Sequence, residues 1–411
     1  MCDDIHESNG SAMKAIPVNQ AVGTVLAHDI TEIRPGEFKG RAFKKGHVIR
    51  EEDVCHLQRL GKEHLFVLQV AENEMHENDA AYAIAQALMG DGVAIKGEPK
   101  EGKISIIAER DGLLKINKDA LLEFNMLGEV MCATLHDNTV VKKGQTLAGT
   151  RAIPLVVKRS IVDEAVRIAN RDRADRVGVI SHGNAVASVH SGVIGVKELR
   201  KPKVGIVITG NEVYHGRIKD AFAPVITKKI EEIGGELVGV YYAPDDKAFI
   251  VDRLQELLKA GADLLITTGG MSVDPDDVTR YAIRELGAGD IVYGSAVLPG
   301  AMFLIAYLEK PRNGEMGKRG NGEKDIMTET NFSDSPIRRF TDASTSSASI
   351  PILGIPACGM YAKTTIFDLV LPRVLAGERI GRKEVAALGH GGLCLKCDVC
   401  RYPVCPFGKL G

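Results

Sequence analysis

An α/β fold is predicted for residues 201–382 of this 411-residue sequence by three observations. Apolar runs of strand length alternate with amphipathic runs of helix length, glycines and capping residues sit at the run ends, and the order reads βαβαβ. That order requires a mostly parallel sheet covered by helices, because a parallel neighbour is reached only through a crossover. KVGIVITG, from Lys203, reads as a buried strand, and PVITKKIEEIGG as a helix with Pro224 near its first turn and Gly234 past its end. ELVGVYYA is the next strand. Asp245 and Asp246 then open the helix DKAFIVDRLQELLKAG, which Gly261 ends, and DLLITTGG is a third strand running into a glycine turn. Residues 311–349 are rich in Gly, Ser, Thr and charge, a composition that cannot bury a core, and are expected to be a mobile insertion. The sheet resumes at IPILGIP, followed by a helix expected from Tyr361 to Leu371 and a cysteine-rich tail at 388–411.

Before Lys201 the pattern is different. Residues 1–12 are small and polar without apolar periodicity and are expected to be a disordered start. Residues 13–200 read as an α+β, strand-rich region with room for two subdomains, with runs such as KISIIAE, EVMCATL and TVVKKGQTLAG. Helices are expected at Asn78–Met89 and after Ser160, where Asp163 and Glu164 resemble a capping box. At about 150 residues per domain the length also asks for two or three domains.

The formal net charge is -2 and no long basic run occurs, so nothing marks a nucleic-acid binder and a small-molecule partner is expected. The first residues lack the layout of a signal peptide, and apolar stretches such as Ala301–Leu308 are too short to span a bilayer. A cytoplasmic protein with no membrane partner is expected.

Ligands of open parallel sheets sit at the carboxyl ends of strands, where both Thr209-Gly210-Asn211-Glu212 and Thr267-Thr268-Gly269-Gly270 fall. Glycines there let the backbone approach a phosphate, and the hydroxyls of Thr268 and Ser272 add donors. Carboxylates beside a phosphate repel it unless a cation intervenes. Glu212, Asp245, Asp276 and Asp277 are therefore candidates for holding Mg²⁺. The plainer alternative is a tight turn at Gly269-Gly270, with Asp276 or Asp277 capping a helix that starts at Val278.

Taken in order, ITGNE, APDD, TTGGMSVDPDDVT, LPG and GIP, from about Lys203 to Gly377, resemble the molybdopterin-binding domain of molybdenum-cofactor biosynthesis proteins. The resemblance implies a three-layer α/β domain, often dimeric or trimeric, that binds molybdopterin or its adenylylated form, with Mg²⁺ in catalytic members. It implies ligand-binding roles for Thr209, Gly210, Glu212, Thr268, Gly269, Gly270, Ser272, Pro299 and Gly300. Glu212, Asp245 and Asp277 would stand at the metal, Asp245 and Asp277 as catalytic residues. The N-terminal extension, with its phrase AVGTVLAHDIT, is more similar to the molybdenumtransferase branch, which inserts molybdate and releases AMP. Asp277-Val278-Thr279 resembles the adenylyltransferase branch.

Departures from the transferase pattern are specific. RPGEFKGRAFKKGHVI stands where that branch carries an Asn-Ser-Ala-Met-Asp-Gly-Tyr-Ala-type segment, so a catalytic Asp is missing. Leu298, Pro299, Gly300 and Ala301 replace an expected Lys-Pro-Gly-Lys, and Pro356 to Tyr361 replace Pro-Gly-Asn-Pro-Val-Ser. The basic run Lys39, Arg41, Lys44 and Lys45 can be a substitute for the lost cations or a solvated turn.

Cys394, Cys397, Cys400 and Cys405, the last followed by Pro406, approach the ferredoxin-type cysteine spacing with one extra residue. Four thiolates on a short loop can hold an iron-sulfur cluster or Zn²⁺, and spacing does not separate the two. Cys2, Cys55 and Cys132 need no special role, whereas Cys358 lies in a turn matching the ligand site and reads as a metal ligand or a small buried Cys. Three functions are thus carried forward: a molybdenumtransferase-like enzyme, a carrier or sensor of molybdopterin serving a molybdenum enzyme, and a molybdopterin adenylyltransferase.

Overall fold

The structure, a computed structural model of the chain, describes residues 13–24, 26–34, 38–68, 71–177, 192–271, 278–309 and 349–409. The polar start, the insertion up to residue 348, and Ser272, Asp276 and Asp277 lie outside them. The chain divides into two compact units, with the boundary between Glu198 and Leu199.

The first unit is α+β and antiparallel. A small core around Val18, Leu26, Ile30, Ile49, Leu57 and Leu65 unites the strand pairs Met13–Pro17 with His64–Leu68 and Ile30–Arg34 with Phe38–Phe43. A separate core gathers the helices Glu77–Leu88, Lys118–Asn125 and Arg159–Val177. It also takes in the four-stranded sheet Val93–Lys100, Lys103–Ala108, Thr146–Ala152 and Val130–Thr134, in that spatial order. The helix read after Ser160 in fact begins at Arg159, so Asp163 and Glu164 sit inside it rather than cap it; Glu164 pairs instead with Arg167, one turn on, at 2.6 Å. The basic run is part of a strand and its turn. Arg41 pairs with Asp29 at 3.1 Å and Lys45 with Glu77.

In the second unit the strands are β1 (Lys203–Thr209), β2 (Glu236–Ala243), β3 (Leu264–Thr268), β4 (Gly289–Tyr293), β5 (Leu304–Glu309) and β6 (Ser349–Ile355). The helices, apart from the single turn Asn211–Tyr214, are α1 (Phe222–Glu232), α2 (Lys247–Lys259), α3 (Thr279–Glu285), α4 (Ile366–Leu375) and α5 (Arg382–Ala387). Among the described residues the strands form one sheet in the order β2-β1-β3-β6-β5-β4. β2, β1, β3 and β6 run parallel, whereas β5 is antiparallel to β6 and β4 to β5. The mostly parallel sheet therefore carries two strands at one edge that the sequence pattern did not disclose.

Strand periodicity produces the layering, because successive side chains face opposite sides. Val204, Ile206 and Ile208 of β1 join Phe222, Ile226 and Ile230 of α1, together with α4. Val207 turns the other way, to Ile250, Leu254 and Leu257 of α2 and Ala282 and Ile283 of α3. Helices thus cover both faces, giving three layers.

Caps set the helix ends. Asp246 accepts the N–H of Phe249 at 2.8 Å to start α2. α4 begins at Ile366, later than Tyr361, because Thr365 and Asp368 form a capping box: Thr365 Oγ1 accepts the Phe367 N–H at 3.2 Å and Asp368 accepts the Thr365 N–H at 2.7 Å. Among the described residues no helix is long and apolar enough to cross a membrane.

Candidate functional site

The parallel register brings three strand ends together. Ile208 of β1 and Ile355 of β6 both lie beside Thr268 of β3, so Thr209, Gly269 and Pro356 follow side by side at the carboxyl edge of the sheet. In this fold class that edge is where ligands bind. A cleft of about 600 Å³ opens there, within the range of small-molecule sites. One wall is Gly269, Gly270 and Met271, a second is Leu298–Met302, a third is Pro356–Cys358, and Leu393, Cys394 and Lys396 close it.

Buried hydroxyls hold the glycine turn in place. Thr209 Oγ1 donates to the carbonyl of Thr268 at 2.9 Å and lies 3.2 Å from Thr279 Oγ1, which is itself 3.2 Å from the carbonyl of Gly269. Each hydroxyl has one proton, so Thr279 shares its own between Thr209 and Gly269. The result is a clasp joining the end of β1, the turn after β3 and the start of α3. It leaves no room for side chains on the turn. A Cβ on Gly269 would stand 2.2 Å from the Thr209 carbonyl oxygen, and one on Gly270 would stand 2.5 Å from Thr279 Oγ1. Both glycines also have positive φ, +78° and +52°. Tyr293 adds a brace by donating its hydroxyl to the Met271 carbonyl at 2.6 Å.

The expected site residues separate into three groups. Gly269, Gly270, Pro299, Gly300 and Cys394 line the cleft. Thr209 and Thr268 are buried beneath it, and the hydroxyls of Thr267 and Thr268 have no hydrogen-bond partner among the described residues. Gly210 and Glu212 lie at the one-turn helix Asn211–Tyr214 that follows β1, and Asp245 lies in the loop that follows β2. Asp245 Oδ2 accepts the Asn211 N–H at 3.0 Å while Asn211 Oδ1 accepts the Asp245 N–H at 3.3 Å, and exposed Glu212 folds its carboxylate back against Gly210.

The tail is docked onto this unit. Leu298 N–H donates to Gly392 and Cys394 N–H to Leu298, both at 2.8 Å, and Phe407 is buried in the core. The Tyr402 hydroxyl donates to the carbonyl of Asp368 at 3.1 Å. That acceptor is free because Pro372, four residues on in α4, has no N–H to give it. Burial pushes the Tyr402 phenol up, keeping it a donor.

Docked in this way, the cysteines do not gather. Cys397 and Cys400 are exposed, Cys394 and Cys405 half-buried against the core, and among the described residues no three Cys, His, Asp or Glu stand close enough together to hold a metal ion. Cys358 is half-buried and its thiol is pushed up by burial, which favours the neutral form. Cys400 differs: the Thr364 hydroxyl, 3.5 Å from its sulfur, and the backbone of Tyr402 hold its pKa below the usual thiol value.

Comparison with known proteins bears on the same segment. Residues 205–376 match a family model described as a probable molybdopterin binding domain. The matched span runs from within β1 through α4 and contains the first three walls of the cleft, while Leu393, Cys394 and Lys396 lie beyond it. Residues 15–69 match a second family, a domain of unknown function. Among curated proteins, a CinA-like protein of Thermosipho melanesiensis is 40% identical over 88 residues, 21% of this chain and 22% of that protein. A CinA-like protein of Mycobacterium tuberculosis is 39% identical over 93 residues, again 21% and 22%. The similarity thus spans 22% of the length of these relatives. Among solved structures, the tungsten cofactor synthesizing protein MoaB from Pyrococcus furiosus is 16% identical and covers 44% of this chain and 99% of its own, with a TM-score of 0.28.

Thr279, Met302, Leu393 and Lys396 are site residues that sequence reasoning missed. Thr279 was visible only as part of an Asp-Val-Thr string, and nothing in the cysteine spacing marks its neighbours as cleft residues.

Two outcomes follow for the second unit. Thr209→Val keeps the shape but removes the hydroxyl of the clasp, and should lower the unfolding free energy by about 1–3 kcal/mol in urea titrations; an unchanged midpoint would contradict the clasp. Because its folded pKa is lowered, Cys400 is thiolate at a lower pH than an ordinary thiol. The pH at which its alkylation by iodoacetamide reaches half-maximal rate should therefore move up in Thr364→Val, as peptide mass spectrometry would measure.

Proposed function

We propose that this protein binds molybdopterin in the cleft at Gly269-Gly270 and works in molybdenum cofactor biosynthesis. One observation carries the reading: the glycine turn, Leu298–Ala301 and the Pro356 turn, which belong to the motifs of the family match, all line one cleft. Its chemistry suits a flat heteroaromatic ligand with a phosphate. Met271, Leu298 and Met302 offer apolar and thioether surface to a ring. Gly269 and Gly270 let main chain reach the phosphate with no side chain between.

The finer reading is molybdenumtransferase-like, acting on adenylylated molybdopterin. In it Glu212, Asp245 and Asp277 hold Mg²⁺, Asp245 and Asp277 serving catalysis, with Ser272 as a further phosphate donor. Of these, Glu212 follows β1 and Asp245 follows β2, and the two segments are tied together by the bonds between Asn211 and Asp245. Two protein carboxylates completed by phosphate oxygens are a usual setting for this ion, which would offset charge on a pyrophosphate. An iron-sulfur or zinc centre on the tail has no part in the reading, since the described thiols do not fit one.

A second reading, a carrier that delivers the pterin to a molybdenum enzyme, is favoured by one observation. Leu298–Ala301 brings no cation to the cleft, so a molybdate anion lacks charge-assisted donors on that wall.

Anaerobic titration of the full chain with molybdopterin tests the binding. Saturable binding is expected, with Ala301→Glu weakening it about tenfold or more by setting a carboxylate against the phosphate. Absence of binding by the unaltered protein would contradict the proposal. With adenylylated molybdopterin, Mg²⁺ and molybdate, AMP release supports the transferase, and binding without release supports the carrier.

A further inference from the structure

The fourth wall of the cleft lies beyond the family match. Leu393, Cys394 and Lys396 come from the tail, which is tied down by Leu298, Tyr402 and Phe407 and closed on itself where Gly408 N–H donates to Gly391 at 2.9 Å. The ties on Leu298 matter most. They join the tail directly to the segment Leu298–Ala301, so the two walls are built as one piece.

We propose that the docked tail is a permanent wall of the ligand cleft and that Lys396 on it binds the ligand's phosphate, supplying the counter-charge that the other described walls do not. The assignment rests on the pterin reading above and deepens it.

Three observations meet at Lys396. It carries the one charged side chain among the described residues that line the cleft. It has no carboxylate partner among the described residues, unlike Lys45, Lys229 and Lys247, which pair with Glu77, Asp368 and Glu285. Its backbone is left-handed, with φ +51°, a conformation that is unfavourable for a residue with a Cβ. Such outliers are kept where the surroundings fix them and cluster at ligand clamps. The chemistry supplies the reason: an apolar cleft that takes up a phosphate must provide a counter-charge, because desolvating an unpaired anion is costly. The net charge of -2 offers no general positive field to do it.

The test titrates the full-length protein anaerobically with molybdopterin, read by pterin fluorescence at low and high salt, for the unaltered chain and for Lys396→Met, Lys396→Arg and Lys396→Gly. Lys396→Met is expected to raise Kd roughly fivefold or more and to flatten its salt dependence, since one exposed ion pair is lost. Lys396→Arg should stay within about twofold, because the charge persists. Lys396→Gly separates charge from fold: glycine suits the left-handed backbone, so thermal stability should hold or rise while affinity falls as in Lys396→Met. Wild-type affinity in Lys396→Met or Lys396→Gly, while the unaltered protein binds, overturns this assignment alone. Failure of the unaltered protein to bind overturns the pterin reading and the assignment with it.

Discussion

The hydroxyl of Thr209, buried and donated to the carbonyl of Thr268, is the bond on which the rest of the site depends. Parallel pairing already sets β1 beside β3, but the chain leaves the sheet beyond Thr268 and its backbone groups need partners there. Thr209 and Thr279 supply them from two sides. The price is that the turn must be glycine twice, since any Cβ would collide with the clasp itself. A bare main-chain surface at the carboxyl edge of the sheet is the consequence. It makes one wall of a cleft whose other walls are the Leu298–Met302 segment, the Pro356 turn and the tail.

The tail follows from a second backbone constraint. Pro372 inside α4 removes the N–H that would have satisfied the Asp368 carbonyl, and the fold meets the deficit with Tyr402, some thirty residues later. Phe407 adds apolar burial and Leu298 adds paired main-chain bonds. Those ties explain why the cysteines are spread along a docked loop. They also explain how residues outside the family match reach the ligand cleft. The same segment thereby supplies a lysine where the neighbouring wall has none.

How much of this was legible in the sequence varies with the physics that decides each element. β1, α1, β2, α2 and β3 were readable because burial periodicity, Asp246 as a cap, and Gly234 and Gly261 past helix ends all agree locally. β4 and β5 were not: they pair with each other, but the link that joins them to the sheet is β5 with β6, which comes only after residues 310–348. The helix start at Ile366 was missed because the Thr365–Asp368 capping box outweighs the helix-compatible residues before it. Within the site, Gly269 and Gly270 declared themselves through residue type. Thr209 and Thr268 were read as ligand donors; both are buried beneath the cleft, where the Thr209 hydroxyl holds the Thr268 carbonyl. Lys396 could not be foreseen, since its position depends on a carbonyl freed by Pro372 and on a register with Leu298 that no local pattern encodes.

The central claim is that the glycine turn held by the threonine clasp, closed by the docked tail, is the binding site for a phosphorylated pterin. A crystal structure of the full chain grown anaerobically with molybdopterin tests it most directly. The account predicts the pterin ring against Met271 and Leu298, its phosphate at Gly269-Gly270 within reach of Lys396, and the Thr209–Thr268 bond unchanged. Ligand density outside this cleft, or a tail displaced from Leu298 in the bound state, would contradict it.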